Sequence, residues 1–65
     1  MFNFKENFAS VDALRAFFCG RDDAFVEVQG SKAYVDDFAY DVRISWDIQE
    51  DGSLVYNSHT TIEYF

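Results

Sequence analysis

Residues 38–49 read FAYDVRISWDIQ and carry the strongest pattern in the chain. Every second residue is apolar, from Phe38 through Trp46 to Ile48, and most residues between them are polar. Alternation with a period of two is typical of a β-strand that buries one face and exposes the other. The sequence therefore predicts one long central strand across this stretch.

The residues that follow the central strand predict a hairpin. A two-residue loop would place apolar side chains opposite polar ones on the same face of the sheet, whereas a three-residue loop at residues 50–52 pairs apolar with apolar. Gly52 then takes the left-handed position of such a loop. We expect four apolar pairs across this hairpin: Trp46 with Tyr56, Ile48 with Leu54, Tyr40 with Ile62, and Phe38 with Tyr64.

The residues before the central strand predict a second hairpin. Residues 24–29 are rich in β-branched and apolar side chains, and Gly30 with Ser31 is a turn signal. Pairing across this turn brings Val26 opposite Val35. Odd-numbered residues then face the core, whereas even-numbered residues do so in the central strand.

A β-bulge reconciles the two patterns. One extra residue at Asp36 and Asp37 would shift the alternation by one position and keep a single long strand. The alternative is a full break at the same place, which would give four strands.

One helix is predicted near the start of the chain. Ser10 is a favourable N-cap, apolar residues follow at spacings of three and four, and Gly20 stands where a left-handed residue ends a helix. We expect a helix at about residues 11–19, docked on the sheet because it is too short to be stable alone. Residues 1–9 are expected to form a tail that packs Phe8 back onto the helix, with a short strand as the alternative.

The predicted fold is α+β: one N-terminal helix packed on a three-stranded antiparallel meander (α-β-β-β) with an acidic outer face. With 65 residues the chain has no length for a second core, so residues 1–65 form a single domain. No apolar run approaches the roughly 20 residues that a membrane span needs. We expect a cytoplasmic monomer that binds neither membranes nor nucleic acid directly.

The negative charge is concentrated in the middle of the chain. The net charge is −7, and residues 22–51 alone hold nine acids and two bases. Acids two residues apart on a strand lie about 7 Å apart, a spacing that can imitate nucleic-acid phosphates. Nine residues are candidates for binding a basic partner: Asp22, Asp23, Glu27, Asp36, Asp37, Asp41, Asp47, Glu50 and Asp51.

Solubility alone is the competing explanation of this charge, since small domains commonly carry a net charge of about 2–8. We expect Asp36, Asp37, Asp41 and Asp47 to lie at the bulge and on the solvent side of the long strand. Removing one of them should then change stability by no more than about 0.5 kcal/mol.

Enzymatic and metal-binding functions find little support in the sequence. Cys19 and His59 are the only candidate nucleophile and base. Cys19 stands at the C-terminal end of the predicted helix, where the negative end of the helix dipole disfavours a thiolate. The acids near Gly52 do not have the spacing of a calcium loop. We expect no catalytic residue, no cofactor and no metal. On the polar face, Phe25 and Val55 are candidates for an apolar partner contact.

The chain resembles the small phage-type anti-CRISPR proteins in its size, its acidic sheet and its order of one helix followed by a meander. It is similar in particular to inhibitors of the type I-C CRISPR–Cas system that act as mimics of double-stranded DNA. The resemblance covers the whole chain but rests on no shared motif, and Arg43 and His59 interrupt the expected acidic face. It implies a non-enzymatic inhibitor that occupies a basic DNA-binding surface of a type I Cascade subunit in the infected cell. The alternative is a small acidic adaptor module that binds a protein through an apolar patch.

Overall fold

The computed structural model describes residues 5–62, which form one helix and four strands. Helix α1 spans Val11–Phe17, and the strands are β1 (Ala24–Gln29), β2 (Lys32–Asp37), β3 (Val42–Ile48) and β4 (Leu54–Thr61). The strands form one antiparallel sheet in the order β1-β2-β3-β4. The predicted three-stranded meander is therefore wrong, and the fold has one strand more.

The extra strand arises from a full break after Asp37, in place of the predicted bulge. The chain turns through residues 38–41, and Asp41 takes a left-handed conformation with φ of 54°. The Asp37 carboxylate accepts hydrogen bonds from the backbone N–H groups of Ala39 and Tyr40, at 3.0 and 3.3 Å. These bonds favour a turn over a continued strand, because they satisfy backbone donors that a sheet ladder would otherwise use.

The register of the first hairpin is confirmed. Residues of β1 pair with β2 as expected, with Val26 opposite Val35 and Val28 opposite Ala33. Because the reversal at residues 38–41 starts a new strand, β3 sets its own alternation and no parity conflict remains. The core receives odd-numbered residues from β2 and even-numbered residues from β3.

The loop of the second hairpin is also confirmed. The Gln49 N–H donates to the Ser53 carbonyl at 2.8 Å, and Gly52 has φ of 89°. Trp46 lies opposite Tyr56, and Ile48 lies opposite Leu54. The three-residue loop thus keeps the apolar residues next to it on one face.

Further along the same hairpin the predicted pairs are wrong, because β4 contains a bulge at Asn57. Ser45 pairs with Ser58 whereas Trp46 pairs with Tyr56, so Asn57 has no residue opposite it. The shift brings His59 opposite Ile44. The sequence predicts two pairs farther from the loop. For the pair of Tyr40 with Ile62, the Ile62 N–H donates instead to the Asp41 carbonyl at 2.8 Å. For the pair of Phe38 with Tyr64, Tyr64 lies outside the described residues.

Helix α1 begins as predicted and ends two residues earlier. The Ser10 hydroxyl accepts a hydrogen bond from the Ala13 N–H at 3.1 Å, as expected of an N-cap. The helix ends at Phe17, and Gly20 has φ of 84° in the segment that follows. Leu14 and Phe18 are buried against the sheet.

The core lies between α1 and one face of the sheet. Its buried side chains are Leu14, Phe18, Ala33, Val35, Val42, Ile44, Trp46 and Leu54. The segment before the helix completes this layer: Phe8 forms a bridge with Leu54, and its ring lies 5.3 Å from Phe17 and 5.6 Å from Trp46. The prediction that Phe8 packs back onto the helix is confirmed.

Replacing Gly52 by Val should destabilise the domain. No atom lies within 4 Å of where a Cβ would stand, so the penalty comes from the backbone conformation and not from a clash. A β-branched residue at positive φ costs about 1–3 kcal/mol. Urea denaturation should show a larger loss of unfolding free energy for Gly52→Val than for Gly52→Asn, since Asn tolerates the left-handed region. Equal losses of unfolding free energy for Gly52→Val and Gly52→Asn would contradict a left-handed conformation at Gly52.

Candidate functional site

The face of the sheet that points away from the helix, the outer face, is polar and close to neutral. Cross-strand pairing arranges it in three rows. The rows are Phe25, Asp36, Arg43 and Thr60; Glu27, Tyr34, Ser45 and Ser58; and Gln29, Lys32, Asp47 and Val55. Three acids and two bases leave this face with a single net negative charge. The predicted acidic outer face is not found.

Two of the three acids on the outer face are held by bases of the neighbouring strands. Asp36 accepts two hydrogen bonds from the Arg43 guanidinium, at 2.5 and 2.9 Å. Asp47 accepts from the Lys32 ammonium and from the Asn57 amide. Because each carboxylate faces a cation of this chain, the strand rows do not present a continuous series of negative charges to a partner.

These contacts shift the pKa values of Asp47, Lys32 and Arg43. The hydrogen bond from Lys32, followed by the one from Asn57, lowers the pKa of Asp47 below its ordinary value. The same bond raises the pKa of Lys32, and the hydrogen bond to Asp36 raises the pKa of Arg43. All three shifts favour the charged forms of Asp47, Lys32 and Arg43.

Asp37 lies on the core side of the sheet, contrary to the expectation that it faces solvent. Its side chain is fully buried and accepts two hydrogen bonds from the Arg21 guanidinium, at 2.9 and 3.0 Å. Arg21 also reaches Asp23 at 3.3 Å. The bond to Asp37 raises the pKa of Arg21. Removing one partner of a buried pair leaves the other partner without its hydrogen bonds, which is costly. The expected change in stability of no more than about 0.5 kcal/mol therefore does not apply to Asp37.

Most of the nine predicted acids lie at the two ends of the sheet. The acidic end consists of the residues before β1 and around the turn from β2 to β3: Asp22, Asp23, Asp36, Asp37 and Asp41. Glu50 and Asp51 lie in the loop from β3 to β4, at the other end. There the Ser53 hydroxyl and N–H donate to Asp51 and lower its pKa. Glu27 alone lies mid-strand, bonded to the Gln29 amide at 3.0 Å.

The acidic end also carries two exposed aromatic side chains, of which the sequence pattern places Phe25 at the surface and Phe38 in the core. Phe25 and Phe38 form an edge-to-face contact with ring centroids 5.8 Å apart, and they are 59% and 40% exposed. The alternation predicts Phe38 in the core, but the break after Asp37 moves it to the surface. We call this pair, Phe25 with Phe38, the aromatic corner.

The two apolar residues predicted to share a partner contact lie far apart. Phe25 is on β1 in the first row of the outer face, whereas Val55 is on β4 in the third. Three strand spacings separate β1 from β4, which is roughly 14 Å before the offset along the strands is added. They do not form one patch.

The described residues contain no cluster of potential metal ligands. Within residues 5–62, no three His, Cys, Asp or Glu side chains are placed to hold a metal ion. Cys19 is exposed, and the His59 Nδ1 atom lies 2.6 Å from the Tyr56 hydroxyl. A shallow cavity of about 200 Å³ lies beside Arg43, whose guanidinium is already bonded to Asp36.

Comparison with protein-family models, with curated proteins and with solved structures found no match to this chain. The resemblance to anti-CRISPR proteins therefore has no support from these comparisons. In the described part of the chain, no helix has the length and apolar character needed to cross a membrane.

The pKa of Asp47 should rise when its cation is removed. Its carboxylate is stabilised in the folded state, so its contribution to stability is present above its unfolded pKa and is lost as pH falls through the lower folded pKa. In Lys32→Met, NMR titration of the carboxyl carbon should move the Asp47 pKa back towards its ordinary value. Arg43→Met serves as the control and should leave it in place. An unchanged pKa in Lys32→Met would show that the contact does not form in solution.

Proposed function

We propose that this chain is a non-enzymatic binding protein that uses its carboxylates to occupy a basic, nucleic-acid-binding surface of another protein. The observation that carries the proposal is the placement of the charge. Arg21, Lys32 and Arg43 pair with Asp37, Asp47 and Asp36, so the excess negative charge remains at the ends of the sheet and on β1.

Electrostatics decides which partners such a surface attracts. A net charge of −7 repels nucleic acid and anionic membranes, and it attracts a groove rich in Lys and Arg. Asp22 and Glu27 make no ion pair with any residue between 5 and 62, and both are exposed. They are the acids of this region most available to a partner.

The partner that we propose is the DNA-binding surface of a type I CRISPR–Cas effector complex, in the cytoplasm of an infected cell. This part of the proposal comes from the resemblance in size, acidity and element order. The action would be stoichiometric: the bound protein excludes target DNA from the effector. The acids would act from the acidic end and from β1, since the outer face as a whole is nearly neutral.

An adaptor that docks through an apolar patch is a second candidate. The exposure of the aromatic corner favours it, because a Phe ring on the surface exposes apolar area that a partner can bury. The dependence of binding affinity on salt concentration distinguishes the charge-based inhibitor from the adaptor. Binding through charge weakens steeply with salt, whereas binding through an apolar patch changes little.

Two matched double variants test the proposal. Asp22→Asn with Glu27→Gln removes two charges at the acidic end and on β1, and Glu6→Gln with Asp12→Asn removes two charges near the helix. All four side chains are exposed, so each substitution should change stability by about 0.5 kcal/mol or less. The readout is competition with DNA for purified type I-C Cascade in a mobility-shift assay, at two salt concentrations.

We expect the first variant to weaken the block of DNA binding, most at low salt, and the second to weaken it less. Equal weakening by both would show that net charge acts without a defined surface and would contradict the proposed site. Full blocking by the first variant would contradict the charge mechanism. A wild-type chain that does not block DNA at all would remove this effector as the partner.

A further inference from the structure

We infer that the aromatic corner is a docking site for an arginine side chain of the basic partner. The inference rests on the proposed function, because it names how that partner is held at the acidic end. It starts from Phe25, the most exposed of the large apolar side chains in the described chain, at 59%. Its ring contacts Phe38, which keeps a large aromatic surface open to solvent.

The position of Phe25 gives a partner free access. Strand β1 lies at the edge of the sheet, and Phe25 is its second residue, so the ring stands where the side edge meets the acidic end. Phe38 joins it from the turn that follows β2, held by the hydrogen bond from its N–H to the Asp23 carbonyl at 2.8 Å. The corner is therefore built from two segments of chain that the sheet fixes together.

Acidic residues are neighbours of the corner along the chain and across the sheet. Asp23 and Asp22 precede β1 by one and two residues, and Asp36, which is bonded to Arg43, lies directly opposite Phe25 on β2. An aromatic surface bordered by acids suits a side chain that is both planar and positively charged. Arginine fits this description, since its guanidinium stacks on aromatic rings and forms two hydrogen bonds to a carboxylate at once.

The chain binds one of its own arginines in this way at the same end of the sheet. The Arg21 guanidinium carbon lies 5.8 Å from the ring centres of both Phe18 and Tyr40. The same guanidinium bonds to the carboxylates of Asp37 and Asp23. Aromatic rings and carboxylates at the acidic end therefore already form an arginine site within the fold. The aromatic corner offers a partner two further rings and the nearby exposed carboxylate of Asp22.

Other occupants fit the corner less well. A second copy of this chain would bring another net charge of −7 against the acids, and nucleic acid would bring phosphates. A lysine carries the same charge as an arginine, but its ammonium is compact, strongly hydrated and unable to stack. Arginine is therefore the side chain that suits both the rings and the charge of the corner.

The test compares two peptides of equal charge, nona-arginine and nona-lysine, titrated into the full chain and followed by NMR. We expect nona-arginine to bind about two- to five-fold more tightly, the range of an exposed cation–π contact. The largest shifts should fall on Phe25, Phe38 and their neighbours. Equal affinity for the two peptides, or shifts centred at the other end of the sheet, would overturn the inference.

Two variants test whether the Phe25 ring causes the preference for nona-arginine over nona-lysine. Phe25→Leu keeps an apolar side chain and removes the aromatic face, so the preference for arginine should disappear. Val55→Ala truncates an exposed apolar residue at the opposite corner of the outer face and should leave the preference intact. Because Phe25 is exposed, Phe25→Leu should keep the wild-type NMR pattern away from the corner. A preference that survives in Phe25→Leu would contradict the inference.

The Cascade assay separates this inference from the proposed function. If Phe25→Leu blocks DNA as well as the wild type does, while the variant with Asp22→Asn and Glu27→Gln does not, the charge mechanism stands and arginine docking is wrong. If neither the wild type nor any variant blocks DNA but nona-arginine is preferred, the corner is an arginine site for a different basic protein.

Discussion

The buried carboxylate of Asp37 is the constraint on which the acidic end of this fold depends. A charge without contact to water is costly unless it is paired and fully hydrogen-bonded. Asp37 meets this condition with two bonds from the Arg21 guanidinium and two from backbone N–H groups of the following turn. One side chain thereby ties the segment after the helix to the sheet and ends strand β2.

The same carboxylate explains why the sequence pattern predicts one strand too few. Phe38 and Tyr40 continue the alternation of β3 backwards, so periodicity alone cannot distinguish them from strand residues. The turn forms because Asp37 bonds to the N–H groups of Ala39 and Tyr40, and because Asp41 tolerates positive φ. Local signals of this kind did predict the Ser10 cap and the loop at Gly52, where the residue types are distinctive.

The sequence predicts the negative charge of the candidate site, but it does not predict which side chains the site brings together. The sequence shows where acids are concentrated, but which base each acid meets depends on the register of three strands. Asn57, at a bulge that the pattern does not predict, donates its amide to Asp47, and the break after Asp37 moves Phe38 to the surface beside Phe25. The result is a nearly neutral outer face, with the excess charge at the two ends of the sheet and on β1, and with Phe25 and Phe38 exposed at the acidic end.

Paired double-mutant cycles test the role of Asp37 most directly. The first combines Arg21→Met with Asp37→Asn. The second combines Arg43→Met with Asp36→Asn, the bidentate pair on the outer face. Urea denaturation in a stabilising osmolyte keeps the single variants folded and measures both coupling energies. The account predicts a clearly larger coupling energy for Arg21 with Asp37, because that carboxylate is fully buried. A coupling energy equal to or below that of Arg43 with Asp36 would contradict it.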